Sequence, residues 1–378
     1  MKKQVVIISI FILLSLIVRF IVGYFFGDDI LDNEWAKLVN NLHISGTLGI
    51  NVAINEFTAL HKFATVGDKV LPTAYMPPLY AYFIYFIKIL NNDIFDLVKI
   101  VIVIQILISM ISILIFYKIL KIHANLYTSF IITSIFSFFP LYIFSNSQIS
   151  SITLQIFLLV CFFYFILKYQ EENNFKNLFL FSLFSSLLIL IRGEFFIFYL
   201  FTIFYFLLFS KKFKSLIITL LLTIIIISPY LTRNYNYFGS IVLTKSFGYN
   251  LLKGNNPNLR VEGSADYISK NYAQSDLKIK TSDNYEIVLD NFYRDKALEI
   301  IKKDPLKYFV FYLKKLLSFT FFDVESTYPK YYDPFHIIPK ILLSIISLFG
   351  AIIALSKRSF FQYLSLYYLI SLFFFSFF

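Results

Sequence analysis

What constrains this chain most is a succession of apolar runs, most of them long enough to cross a lipid bilayer. They occupy residues 4–26, 97–120, 126–144, 150–168, 177–191, 194–210, 215–232, 337–356 and 360–378, with two further runs at 77–90 and 306–322. A helix crosses roughly 30 Å of hydrocarbon with about 20 apolar residues. In that medium every backbone group must be satisfied internally, which leaves only helices and closed barrels. The runs are continuous and do not alternate over ten-residue strands, so a barrel is excluded. The chain is 58% hydrophobic and 15% charged, against about 45–50% and about 25% for soluble domains. The expected fold is an all-α integral membrane protein, a polytopic helical bundle.

Charge supports a topology and no nucleic-acid partner. The net charge of +11 is the bias expected of a membrane protein whose cytoplasmic loops collect Lys and Arg. Cys161 is the single cysteine and lies inside an apolar run, so no intrachain disulfide forms. Lys2 and Lys3 precede the first run, and no small-residue cleavage site follows it. That reads as an uncleaved first helix with its N-terminus inside.

Two runs do not fit a spanning helix. Residues 77–90, starting at Pro77-Pro78, make only about 21 Å of helix. Residues 306–322 carry Lys314 and Lys315 at mid-run, which suits an interfacial helix. If 77–90 does not cross, Lys118/Lys121, Lys168/Lys176, Lys211/Lys212/Lys214 and Lys357/Arg358 all fall on the side of Lys2 and Lys3. The reading is therefore that 77–90 is re-entrant or interfacial. The organisation that follows is a transmembrane module over 1–232 with an outer loop at 27–76, an outer lobe at 233–305 ending in a helix at 283–303, and an interfacial helix with C-terminal transmembrane helices at 306–378.

The chemistry-bearing residues gather at the outer ends of these runs. No GxxxxGK[ST], GxGxxG, HExxH or CxxC motif is present, and His43, His61, His123 and His336 are scattered singly. Asp28, Asp29, Asp32 and Glu34 crowd the exit of the first run. Carboxylates there read either as functional or as a helix start that satisfies free amides. Arg192 lies at a junction of two runs and Arg233 follows a run ending near Pro229. Either arginine could simply snorkel at a helix end, Arg192 with Glu194 as a local partner. Tyr75, Pro77, Pro78 and Tyr80 stand where the first loop re-enters, and Asn250, Gly254 and Asn255 lie in the second loop. Carboxylates facing arginines suit a reaction between a phosphate-bearing lipid and a neutral nucleophile: the arginines hold the phosphate and a carboxylate takes the proton.

Several stretches, in this order, resemble the GT-C superfamily of polyprenyl-phosphate-sugar-dependent glycosyltransferases. The similar branch is the one holding protein O-mannosyltransferases and the lipid A aminoarabinose transferase. The stretches are DNEWAKLVNNLHISGTLG (32–49), PPLY (77–80), Arg192, PYLTRNYNYFG (229–239) and GYNLLKGNNP (248–257). The resemblance implies a GT-C-like bundle with outward-facing active-site loops in a bacterial inner membrane. It implies a polyprenyl-phosphate sugar as donor and a cell-surface glycan, lipopolysaccharide or glycolipid as acceptor. The implied general base is Asp32, with Asp29 and Glu34 as nearest substitutes, and the donor-phosphate or substrate-binding candidates are Arg192, Arg233, Tyr75, Tyr80 and Asn255. Where many such chains carry a second acid, this one has Gln148 or Ser151, so no firmly bound metal is expected and no other cofactor.

Two other classes share part of the pattern. A lipid-linked oligosaccharide flippase would favour polar residues buried at mid-membrane and inverted-repeat symmetry, and neither is evident. An O-antigen polymerase or ligase would share the large outer loop without requiring acids after the first helix. The missing second acid also leaves a non-catalytic membrane subunit open.

Overall fold

The computed structural model describes residues 2–31, 34–51, 70–92, 94–210, 213–272, 284–356 and 360–377. In chain order the elements are α1 (Lys2–Phe26), α2 (Glu34–Ser45), β1 (Gly49–Asn51), β2 (Val70–Pro72), α3 (Pro78–Asn91), α4 (Leu97–His123), α5 (Leu126–Ser137), α6 (Pro140–Ser145) and α7 (Ile152–Glu172). They continue with α8 (Phe175–Ile191), α9 (Phe195–Ser210), α10 (Phe213–Phe238), α11 (Phe247–Gly254), α12 (Ala265–Asn271), α13 (Tyr285–Lys303), α14 (Pro305–Thr320), α15 (Pro334–Leu355) and α16 (Phe360–Phe375). The strands form one antiparallel ladder with Gly49 opposite Pro72. Among the described residues, five helices are long and apolar enough to cross a membrane: Ile8–Phe26 of α1, α4, α7, α10 and α15. α5, α8, α9 and α16 are apolar but shorter. The chain is a helical protein of the multi-pass membrane kind.

Helix ends sort into two groups. At one end Arg233 of α10 reaches the carbonyls flanking the hairpin, Lys245 N donates to Ala74 O at 2.7 Å, and Asn255 bonds Phe377 O past α16. At the other, the His123 ring packs on Phe360 and Phe361, Tyr169 bonds Ser215, and Asn177 bonds Lys168 O. Lys118, Lys121, Lys168, Lys176 and Lys214 all belong to this second end. Lys211, Lys212, Lys357 and Arg358 lie outside the described residues.

α3 stays at the loop end throughout. Tyr80 in its first turn donates to Gln105 of α4 at 2.7 Å, while Asn91 in its last turn bonds Phe95, just before α4 begins. The helix thus runs back beside the first turns of α4 and does not traverse the bundle. α14 is similar: Tyr312 bonds Phe373 O in the last turn of α16 at 3.0 Å, and Lys315 bonds Phe377 O just past it at 2.9 Å.

Prolines shape the spans differently from the sequence reading. The run 126–144 is two helices, not one, because Pro140 opens α6 with no amide to donate and holds Phe139 in an extended conformation. α10, by contrast, continues through Pro229 to Phe238, so the boundary drawn at 232 falls inside a helix. The carbonyl that Pro229 cannot satisfy is Ile225 O, and the Ser228 hydroxyl donates to it at 2.8 Å. Around α8, Ser182, Ser185 and Ser186 are buried and return their hydroxyls to its own carbonyls. Small side chains there let α7 and α10 approach closely.

One polar group in mid-span was not anticipated. Arg19 of α1 is 1% exposed. Its guanidinium donates to Ser109 Oγ at 2.9 Å, Ser137 O at 2.9 Å and Ser15 Oγ at 2.6 Å, and it lies 5.4 Å from the Tyr142 ring centroid. Every side of the charge is met within the bundle, so Arg19 stitches α1 to α4 and to the α5–α6 break. A charged letter inside the first apolar run is the signal that would have found it.

Candidate functional site

The acids after α1 have separate fates. Asp28 is locked to the 147–149 segment: its amide donates to Ser147 O at 3.1 Å and its carboxylate accepts Ile149 N at 2.7 Å. Gln148 returns a bond to Phe26 O at 2.9 Å. Asp28 is therefore engaged in holding the segment that carries Gln148 in place of a second acid. Asp29 is exposed and makes no hydrogen bond to a described residue. Asp32 lies outside the described residues, and Glu34 is the exposed first residue of α2.

The arginines also part company. Arg233 gives its fork to Thr73 O at 2.8 Å and Leu48 O at 2.5 Å, and to Asn234 Oδ1 at 2.7 Å, with the Tyr237 ring 5.1 Å away. It clamps the hairpin to α10. Tyr80 is fully buried, edge-on to Trp35 at 4.9 Å. Its partner Gln105 donates to Gln148 O at 2.9 Å, so Tyr80 supports the loop from beneath. Asn255, 5% exposed, bonds Leu251 O, Phe377 O and the Lys315 ammonium. These three predicted binding residues have anchoring positions and line neither of the cavities described next.

Arg192 does line a cavity. It caps α8, pairs with Glu194 at 3.4 Å, and is 41% exposed at its side chain, so that pair is weak. The cavity measures about 660 Å³ and brings Arg192 and Lys253 together with Asn250 and Glu262, against Phe196, Ile197, Phe374 and Phe375. Glu262 is already engaged. Burial opposes its charge, but Thr327, Arg260 and Ser326 outweigh that and hold its carboxyl down at about 2. Glu194 lines the cavity as well, and because its pair with Arg192 is weak, Arg192 and Lys253 are the cations that can turn to an anion.

A second cavity of about 230 Å³ lies across α11. It is lined by Glu34, Tyr75, Lys245, Tyr249, Glu286 and Asp290, among others. Glu286 accepts Thr73 Oγ1 and the Ala74 amide, the latter at 2.8 Å. Burial pushes its carboxyl up to about 6, against the pull of those bonds and Arg233. One turn on, Asp290 accepts Gly248 N at 2.7 Å, and burial raises its carboxyl as well. Asp290 thereby caps α11 from a neighbouring helix. The approach is close: a Cβ on Gly248 would stand 1.9 Å from Asp290 O.

Sequence reading thus brought Arg192, Glu34 and Tyr75 to cavity walls. It missed Lys253, Lys245, Glu286 and Asp290. Lys253 lies inside the quoted GYNLLKGNNP, and Glu286 and Asp290 share one helix face four residues apart, a spacing visible in the sequence. Among the described residues no group of three His, Cys, Asp or Glu side chains could hold a metal ion. No family model, curated protein or solved structure matches the chain.

Proposed function

We propose that this chain is a membrane glycosyltransferase of the GT-C type, moving one sugar from a polyprenyl-phosphate donor to a cell-surface glycan, lipopolysaccharide or glycolipid. The observation that carries this reading is the larger cavity, where Arg192 and Lys253 share a wall with Phe196, Ile197, Phe374 and Phe375. Phe196 and Ile197 are also exposed on the outside of the bundle. An isoprenoid phosphate needs that combination, cations for the head and an apolar path for the tail.

In the reaction, an acceptor hydroxyl attacks the anomeric carbon while the bond from that carbon to the phosphate oxygen breaks. Polyprenyl phosphate leaves with the electron pair, and Arg192 and Lys253 offset its charge. A first-loop carboxylate takes the proton: Asp32, with Asp29 and Glu34 as nearest substitutes. The donor is already activated, so no nucleotide site is required. The lysine-bearing end lies in the cytoplasm with the N-terminus, and the cavities open on the outer face of a bacterial inner membrane.

The test is transfer of label from radiolabelled polyprenyl-phosphate sugars into membrane acceptors, comparing the native chain with Asp32→Asn, Asp29→Asn and Glu34→Gln. Loss of transfer in Asp32→Asn or Asp29→Asn identifies the base, and loss in Glu34→Gln does so where acceptor binding is retained. Full activity in all three rejects a first-loop base, and no transfer from any donor by the native chain rejects the enzyme.

A further inference from the structure

The smaller cavity is not needed to hold a lipid phosphate, and its chemistry is of another kind. Its walls carry the rings of Tyr75, Tyr249 and Tyr293 in an edge-to-face series, with centroids 6.3 and 5.7 Å apart. Its charged groups are Glu34 from α2, Glu286 and Asp290 from α13, and Lys245 from the segment before α11. Three carboxylates face one ammonium. Glu286 and Asp290 are each oriented by bonds to backbone amides, Ala74 and Gly248, and each oxygen keeps a further lone pair for a ligand donor. Arg233 and Arg294 act on Glu286 and Asp290 from outside the lining, so the carboxylates outnumber the cation on the wall itself, where a ligand makes its contacts.

Its place relative to the larger cavity matters equally. α11 is the wall between them: Phe247, Asn250 and Lys253 line the larger one and Tyr249 the smaller. Glu34, the first residue of α2, is itself part of the smaller cavity's wall. A volume of about 230 Å³ is roughly the liquid share of eight waters, which suits one sugar ring.

We propose that this cavity binds a single amine-bearing pyranose, ring against the tyrosines and ammonium among Glu34, Glu286 and Asp290, and that it is the acceptor site; the acceptor role rests on the transferase reading above. Neutral pyranoses bind more weakly and uronic acids are rejected. Arg192 belongs to the other cavity and has no part in this selection.

The experiment is saturation-transfer NMR on the full chain in detergent micelles with methyl glucosaminide, methyl glucoside and methyl glucuronide. The expected result is a signal several-fold stronger for the glucosaminide than for the glucuronide, lost in Glu34→Gln and in Tyr249→Ala and kept in Arg192→Ala. Glu34 is exposed at a helix start, so its variant folds, and loss there is not a folding effect. Equal signals for the three sugars, preference for the glucuronide, or retention in both cavity variants overturns the proposal. Binding is read without turnover, so the two readings fail separately. Active transfer with no amine selectivity removes this inference alone, and selective binding without transfer from any donor removes the enzyme and leaves the pocket.

Discussion

Glu286 of α13 accepts the amide of Ala74 at 2.8 Å, joining the segment after α10 to the end of the segment before α3 across 212 residues. The same carboxylate accepts the Thr73 hydroxyl. One side chain therefore docks the lobe helix on the stretch leading into α3.

This junction makes stability depend on pH. Burial raises the Glu286 carboxyl from 4.5 to about 6. Its favourable contribution is full below about pH 4.5 and is lost as pH rises through about 6, because the folded state binds the extra proton. The shift corresponds to about 2 kcal/mol. Thermal unfolding in detergent should give a higher Tm at pH 5 than at pH 7.5, and Glu286→Gln should shrink that difference. An unchanged pH dependence in the variant would remove Glu286 as its source.

Arg233 is expected to act on the hairpin first. Removing its fork leaves Thr73 O without that donor and Leu48 O with the Thr73 amide alone, at about 1–3 kcal/mol for a buried acceptor. Arg233→Ala should speed amide exchange at Ile50 and Leu71, and Arg233→Lys should recover only part, since an ammonium cannot span both carbonyls as a planar fork does. Native exchange rates in the alanine variant would contradict this.

Arg192 and Lys253 should show the opposite behaviour. Arg192 is partly exposed and weakly paired, so Arg192→Ala and Lys253→Ala should leave Tm within about 0.5 kcal/mol of native stability. Each should raise the KM for a polyprenyl-phosphate donor by roughly tenfold or more, the worth of one charge-assisted bond. Unaltered donor KM in both variants would detach the larger cavity from the phosphate.

Gly248→Ala tests the close approach of α11 to α13. A methyl group there would meet backbone, the Asp290 carbonyl at 1.9 Å, and backbone cannot swing aside as a side chain end does. The expected cost is about 1–3 kcal/mol in unfolding free energy, as for overpacking, with faster exchange of the α11 amides. Wild-type stability would show that the two helices can part without loss.

Much of the membrane architecture was legible in the sequence, because apolar run length is a one-dimensional property. Runs at 97–120 and 150–168 became α4 and α7 with little change, and 215–232 became α10 with six further residues at its end. The shortness of 77–90 and the lysines in 306–322 already marked those segments as unlike spanning helices, and α3 and α14 stay at the loop end. The break at Pro140 and the continuation through Pro229 were not legible from run length: the same residue type interrupts one helix and is absorbed in another, where Ser228 stands ready to satisfy the freed carbonyl.

The functional ends divide along the same line. By itself the sequence determined that acids follow the first apolar run, that Arg192 and Arg233 close later ones, and that the lysines collect on alternate connections, since each is a matter of order along the chain. Packing in three dimensions sets the rest: Asp28 holds the 147–149 segment, Arg233 clamps a hairpin, Tyr80 and Asn255 are buried, and Lys253 joins Arg192 while Glu286 and Asp290 join Tyr75 and Glu34. The reason is physical. A charged side chain is spent on whichever donors or acceptors the packed chain brings within about 3 Å, and for Asp28, Arg233 and Glu286 these include groups more than a hundred residues away.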